Sequence, residues 1–186
     1  MVKLVIVEAY LKKYLSNDRY LHCKRVMDKA SLYAKIYKVD VDVVKLTALA
    51  HDLAREFTAD ENFNYIKKYA LNYKLLEKIN YPLLHGFIAA DIVRRKFQFT
   101  DEMCSAIKYH TTGKKNMTML EKIVFLADKL EDGRDYPDVD KIRDVANTDI
   151  DKAMYLSLEN SINYCRKKNV SVHPLSLEAF DYYKNL

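Results

Sequence analysis

Glycine, proline and cysteine are all scarce in this sequence. Of 186 residues, only 3 are glycine and 3 are proline. A β-rich fold of this length needs turn residues at its strand reversals, so the shortage argues for an all-α chain. Cysteine also numbers 3, at Cys23, Cys104 and Cys165. The count is odd and no pair has CxxC spacing, which points to reduced thiols in a reducing compartment. No uninterrupted apolar run reaches the roughly 20 residues that cross a bilayer. The apolar start, Val2-Lys3-Leu4-Val5-Ile6-Val7, is broken by Glu8 and then Lys12-Lys13, and it lacks a signal-peptide cleavage pattern. A cytoplasmic protein with no membrane partner is therefore expected. No repeat, low-complexity tract or linker interrupts the chain, so one domain over 1–186 is expected.

What is present is an ordinary soluble mixture, 49% hydrophobic and 31% charged, enough for a real core at this length. The net charge of +5 is spread along the chain and reads as a solvated helical surface. A basic funnel for a polyanionic substrate is the sharper reading, and a nucleic-acid partner is not expected.

Apolar spacing predicts helices throughout. Leu4, Val7, Leu11 and Tyr14 mark the first. Asp18 is placed to cap a second, whose inner stripe runs Cys23, Val26, Met27, Ala30, Tyr33, Ala34 and Tyr37. A third is expected from about Asp42 to Leu53, then a shorter one over Ala59–Tyr69 and a weak segment over 75–80. Pro82 suits the first turn of the helix carrying His85. Asp101 opens another, which ends at His110 with Gly113 as its stop. Thr118 and Glu121 have capping-box spacing ahead of the helix that carries Asp128 and ends at Asp132-Gly133. Helices near Asp138–Ala146, near Asp149–Lys168 and from Pro174 complete the chain.

The chemistry centres on His51-Asp52, a vicinal polar pair at the end of the apolar run Val43-Val44-Lys45-Leu46-Thr47-Ala48-Leu49-Ala50. An imidazole and a carboxylate leave water together most readily around a cation. On a regular helix the two side chains point about 100° apart, so such a cation would lie over their shared edge. His22 precedes the pair, His85 and His110 follow, and Asp128 closes the series. These residues lie on different predicted helices, each able to aim one side chain at a common centre. Two imidazoles with two carboxylates suit a divalent transition metal such as Fe(II), Mn(II) or Co(II).

Several local strings occur around these residues in order. They include Arg19-Tyr20-Leu21-His22-Cys23-Lys24-Arg25-Val26 and Ala48-Leu49-Ala50-His51-Asp52-Leu53-Ala54-Arg55. His85-Gly86 and Ile107-Lys108-Tyr109-His110-Thr111-Thr112-Gly113 follow. The longest is Leu120-Glu121-Lys122-Ile123-Val124-Phe125-Leu126-Ala127-Asp128-Lys129-Leu130-Glu131, succeeded by Gly133-Arg134-Asp135-Tyr136-Pro137 and His173-Pro174. With these strings the sequence resembles the HD-domain metal-dependent phosphohydrolases, and among them the bacterial YqeK branch of symmetrical diadenosine tetraphosphate hydrolases. Two departures stand out. Asp132 replaces a proline common in the branch before Gly-Arg, and Lys129 follows the metal-type aspartate where an aromatic is frequent.

The resemblance implies a helical bundle of roughly eight to ten helices in one HD domain. It implies that His22, His51, Asp52 and Asp128 hold the metal, most readily iron, as one or two ions. His85 and His110 have two roles open to them: a second ion bridged by Asp52, or contact with substrate phosphates. With Asp52 they form the catalytic set. Arg134, Arg55, Lys129 and Thr111 are candidate substrate contacts, because a guanidinium forks onto two phosphate oxygens. Asn160 is a weaker one, and Tyr136 and Tyr109 could stack on a base. Lys24, Lys114 and Lys115 read as solvated. The implied reaction is hydrolysis of a dinucleoside polyphosphate by metal-activated water, diadenosine tetraphosphate giving two ADP. A homodimer is implied as well. Three other readings carry the same ligand series: another HD-fold nucleotidase or phosphodiesterase, a two-iron oxygenase, and a nucleotide-sensing module without turnover. The Gly-Tyr-Pro signature of the cyclic-dinucleotide phosphodiesterases is missing, since His85 is followed by Gly86-Phe87-Ile88.

Overall fold

A computed structural model describes residues 2–72 and 83–186. Among these residues there are ten helices and no strand, as the scarcity of turn residues implied. In chain order they are α1 (Leu4–Tyr14), α2 (Asn17–Ile36), α3 (Val41–Ala50), α4 (Ala59–Lys68), α5 (Leu84–Phe97), α6 (Asp101–Tyr109), α7 (Met119–Leu130), α8 (Val139–Ala146), α9 (Ile150–Lys167) and α10 (Pro174–Lys184). The expected segment over 75–80 and Pro82 lie outside the described residues.

The short helix α3 is the hub. Leu46 to Ala50 are all buried, as is Val44, and α3 packs against α1, α2, α6 and α7. A helix that is apolar on nearly every side has to be surrounded. Around it, Val26, Leu49, Ile107, Phe125 and Leu126 are fully buried. Each such side chain contributes on the order of 1.5–3 kcal/mol. Helix α9 packs on the far side of α7 and α10 packs against α9, with Met154, Leu158 and Ala179 in the same buried cluster.

The helix ends explain where the site residues fall. Helix α3 stops at Ala50 rather than Leu53, and residues 51–56 form a turn. The Leu53 and Arg55 amides bond back to the carbonyls of Ala50 and Asp52, a three-residue spacing that tightens the chain and lifts His51-Asp52 off the regular helix. The cap of α2 is Ser16 rather than Asp18: its hydroxyl accepts from the Arg19 amide at 3.3 Å. Asp18 lies inside the first turn, where its charge complements the helix dipole. Helix α6 opens at Asp101 as expected, with the Thr100 hydroxyl capping it by accepting from the Met103 amide. The capping box of α7 is formed from both sides, Glu121 N–H to Thr118 Oγ1 at 3.3 Å and Thr118 N–H to Glu121 Oε2 at 2.8 Å. Helix α7 ends at Leu130, and His173 caps α10 with Pro174 in its first turn.

Gly113 stops the chain after α6 as the spacing indicated. Its φ is +66° and its amide bonds to the Tyr109 carbonyl. A side chain there would meet no hard clash, since the nearest atom is 3.4 Å from an added Cβ. The cost of Gly113→Ala is therefore backbone strain, about 1–2 kcal/mol. The expected result is a melting point lower by roughly 2–4 °C for each kcal/mol, read by circular dichroism at 222 nm.

Candidate metal centre

All six residues of the His and Asp series converge where α2, α3, α5, α6 and α7 meet, and all six are buried. His22 sits on the second turn of α2, His85 opens α5, and Asp128 lies in the last turn of α7. His51 and His110 are the caps that end α3 and α6. The close approach of α5 to α6 is possible because residue 86 is glycine. A Cβ there would lie 3.0 Å from the Lys108 carbonyl oxygen.

Asp52 is central. Its Oδ2 lies 3.8 Å from His22 Nε2 and 3.5 Å from His51 Nε2. Its Oδ1 lies 3.1 Å from His85 Nε2 and 3.5 Å from His110 Nε2. Asp128 Oδ1 faces the first pair, 3.1 Å from His22 Nε2 and 3.7 Å from His51 Nε2. Burial alone would push both carboxyls up. For Asp52 the charge a protonated His51 would bring and the nearby His110 and His85 rings outweigh it, and for Asp128 the nearby His22 and His51 rings and the Lys129 charge do so. Both carboxylates are held well below the usual range. Burial dominates at His110, whose pKa falls to about 4, so it is neutral at physiological pH. It also lowers Lys129.

The donor set fits a cation. His22 Nδ1 faces Glu131 Oε1 at 3.1 Å, and His51 Nδ1 faces the Ala48 carbonyl at 2.7 Å. These acceptors place the ring proton on Nδ1 and turn the Nε2 lone pair inward. Both Nε2 atoms are buried without a hydrogen-bond partner. A lone pair and a carboxylate oxygen 3.1 Å apart repel unless a cation or proton lies between them. Two sets of ligand atoms lie mutually within 4.8 Å, His22 with His51 and Asp128, and His51 with Asp52 and His110.

The candidate substrate contacts divide. Arg134 folds onto the cluster, its Nη2 donating to Asp128 Oδ1 at 2.7 Å and its Nε to the Asp128 carbonyl at 2.8 Å. Lys129 Nζ lies 3.8 Å from Asp128 Oδ2 and over the Phe125 ring. The Thr111 hydroxyl is 3.0 Å from His110 Nε2. All three line a cavity of about 570 Å³ that reaches Asp128 and also takes in Tyr136 and Asn160. Tyr109 instead borders a separate depression beside Phe87. Arg55 lies against His85. Lys24 and Lys114 pair with Glu8 and Glu121.

Sequence reasoning missed Glu131 and Arg19. Glu131 Oε2 accepts from Arg25 Nε at 2.7 Å and the Gly133 amide at 2.6 Å, while Oε1 takes His22. Arg19 Nη1 donates to Asp52 Oδ2 at 3.0 Å. One signal existed for Glu131: a carboxylate at a helix C-terminus opposes the dipole and needs another reason to be there.

Comparison with known proteins agrees with this architecture. The HD domain family model matches residues 19–133, which span all six cluster histidines and aspartates. A symmetrical bis(5'-nucleosyl)-tetraphosphatase of Halalkalibacterium halodurans is 37% identical over 92% of this chain and 91% of its own. One from Staphylococcus aureus is 34% identical over 92% and 90%. The structure of a Clostridium acetobutylicum protein described as a predicted HD superfamily hydrolase involved in NAD metabolism superimposes with a TM-score of 0.90 at 30% identity, covering 100% of this chain and 98% of that one. The chain belongs to the HD domain family. The family implies a divalent metal, and no helix among the described residues is long and apolar enough to cross a membrane.

Glu131→Gln tests how the centre is oriented. Two donors, Arg25 and the Gly133 amide, hold the amide oxygen at the Oε2 position, so the amide NH2 turns toward His22 Nδ1. That reverses the His22 tautomer and removes its inward lone pair. Metal affinity, read by competition with a chromophoric chelator, is expected to fall about 10–100-fold. An unchanged affinity would exclude this role for Glu131.

Proposed function

We propose that this protein hydrolyses dinucleoside polyphosphates, cutting diadenosine tetraphosphate symmetrically into two ADP. One observation carries the reading: a cation-ready cluster opens directly onto a cavity of about 570 Å³ whose wall holds Lys129 and Arg134. That volume is within the range of small-molecule sites. The curated relatives, similar over nearly their whole length, bear the name of this activity.

His22, His51, Asp52 and Asp128 would hold the metal, with iron first and manganese or cobalt as alternatives, as one or two ions. When bound, such an ion lowers the pKa of a water and draws negative charge from the phosphoryl group. The side chains supply the rest. Lys129, Arg134 and Thr111 seat phosphate oxygens, and the Tyr136 ring forms an apolar wall for a nucleoside. His110 and His85 border the reacting phosphate. The water oxygen joins one phosphorus of the central anhydride, and the bridging oxygen leaves with the second ADP. The shared buried cluster supports one domain over 1–186. A cytoplasmic location, a homodimer and no nucleic-acid partner complete the reading.

The test is an anaerobic assay of Fe(II)-loaded protein with diadenosine tetraphosphate, products resolved by chromatography. ADP alone is expected, whereas ATP with AMP would refute the symmetrical cut. Asp52→Ala should lose both bound metal, measured by elemental analysis, and turnover. Metal retained at the wild-type level would remove Asp52 from the ligand set. Arg134→Ala removes a charge-assisted bond worth about 1.5–3 kcal/mol. It should keep the metal and raise KM roughly 10–100-fold, and an unchanged KM would count against its phosphate role.

A further inference from the structure

The four imidazoles of the centre do not all face it in the same way. At His22, His51 and His110 the Nδ1 atom meets an acceptor: the Glu131 carboxylate, the Ala48 carbonyl and the Ile107 carbonyl, the last at 2.7 Å. Each of these rings carries its proton on Nδ1 and offers a lone pair at Nε2. His85 is the exception. Its Nδ1 lies 3.3 Å from Arg55 Nη1. A guanidinium has donors only and is always charged. In this contact His85 Nδ1 therefore accepts, and a neutral ring that accepts at Nδ1 carries its proton on Nε2.

The neighbours of Nε2 agree with that assignment. His85 Nε2 lies 3.1 Å from Asp52 Oδ1 and 3.1 Å from His110 Nε2. The carboxylate is an acceptor, and so is His110 Nε2 once the Ile107 carbonyl has claimed the proton on Nδ1. If His85 presented a lone pair instead, three acceptors would crowd together with no proton from the histidines between them. The Arg55 contact thus sets the direction of the whole His85–His110–Asp52 corner.

We propose that Arg55 is a positioning residue that holds His85 as the Nε2–H tautomer, so that His85 gives a hydrogen bond to a substrate phosphate oxygen instead of a lone pair to a metal ion. The proposal rests on the phosphohydrolase reading for its substrate, but the tautomer and the metal count can be measured without any nucleotide. It separates the two histidines that the sequence left equivalent. His110 belongs with the ligand-type imidazoles, and His85 is the donor. It also gives Arg55 a task other than direct phosphate contact.

The experiment uses full-length zinc-loaded protein with nitrogen-15-labelled histidine, His85 being assigned by its loss in His85→Gln. NMR of the wild type is expected to show His85 protonated at Nε2 and bare at Nδ1. Arg55→Met, which keeps the side-chain length and removes the donors, should lose that signature, and Arg55→Lys should keep it. His85→Gln should bind as many metal ions per chain as the wild type. With diadenosine tetraphosphate, Arg55→Met should lower kcat about 10–100-fold with little change in KM, and Arg55→Lys should recover most of the loss. A wild-type His85 protonated at Nδ1, or an ion lost in His85→Gln, would overturn the proposal. So would a higher KM in Arg55→Met with the tautomer unchanged, which would return Arg55 to direct phosphate binding. If the wild type leaves the dinucleotide intact while the His85 signature and metal count are as expected, the substrate reading fails and the positioning role stands.

Discussion

Two carboxylates buried among four imidazoles set the terms for the rest of this molecule. Asp52 and Asp128 are nearly removed from water, and an isolated carboxylate in such a place would take up a proton rather than stay charged. The surrounding histidines, with Arg19, Arg134 and Lys129, keep both ionised. Two of the imidazoles in turn leave buried Nε2 atoms without hydrogen bonds, which a cation would satisfy. Charge, burial and unpaired lone pairs all point to the same small volume.

The helical scaffold serves that volume mainly through its ends. The last carbonyls of a helix have no partner within it. At the ends of α3 and α6 a histidine three residues on donates its Nδ1–H to such a carbonyl, Ala48 to His51 and Ile107 to His110, each at 2.7 Å. One device therefore completes the helix terminus, fixes the tautomer and aims the ring. At the end of α7 the roles change. Glu131 gathers Arg25, the Gly133 amide and His22, so the loop after the helix is tied to the imidazole of α2.

The cavity beside the centre has a mixed lining. Asp128, Lys129, Arg134 and Thr111 give it a polar side, while Tyr136, Tyr164 and Val170 are apolar. Tyr164 and Val170 are more than half exposed, which is unusual for large apolar side chains unless something docks on them. A phosphate chain joined to a planar base has this same division of character. Arg134 stands on the polar side while also bonded to Asp128, so the cavity wall and the His and Asp cluster share a residue.

Much of this was legible in the sequence by itself. The shortage of glycine and proline excluded a β-fold, apolar spacing located the helices, and Thr118 with Glu121 and Pro174 marked two starts that the structure keeps. The six residues of the His and Asp series meet at one place in the structure, and they stood out in the sequence because those residue types rarely occupy apolar helix ends without a chemical reason. Local boundaries were less secure: Ser16 caps α2 where Asp18 was expected, since Asp18 sits within the first turn and favours the dipole there. What only the tertiary structure decided is orientation. Glu131 lies 109 residues from His22 and Arg55 lies 30 from His85, yet these contacts determine which nitrogen carries each proton. A sequence specifies which groups can ligate or donate, but the direction of a ring depends on the partner that packing brings to its far side.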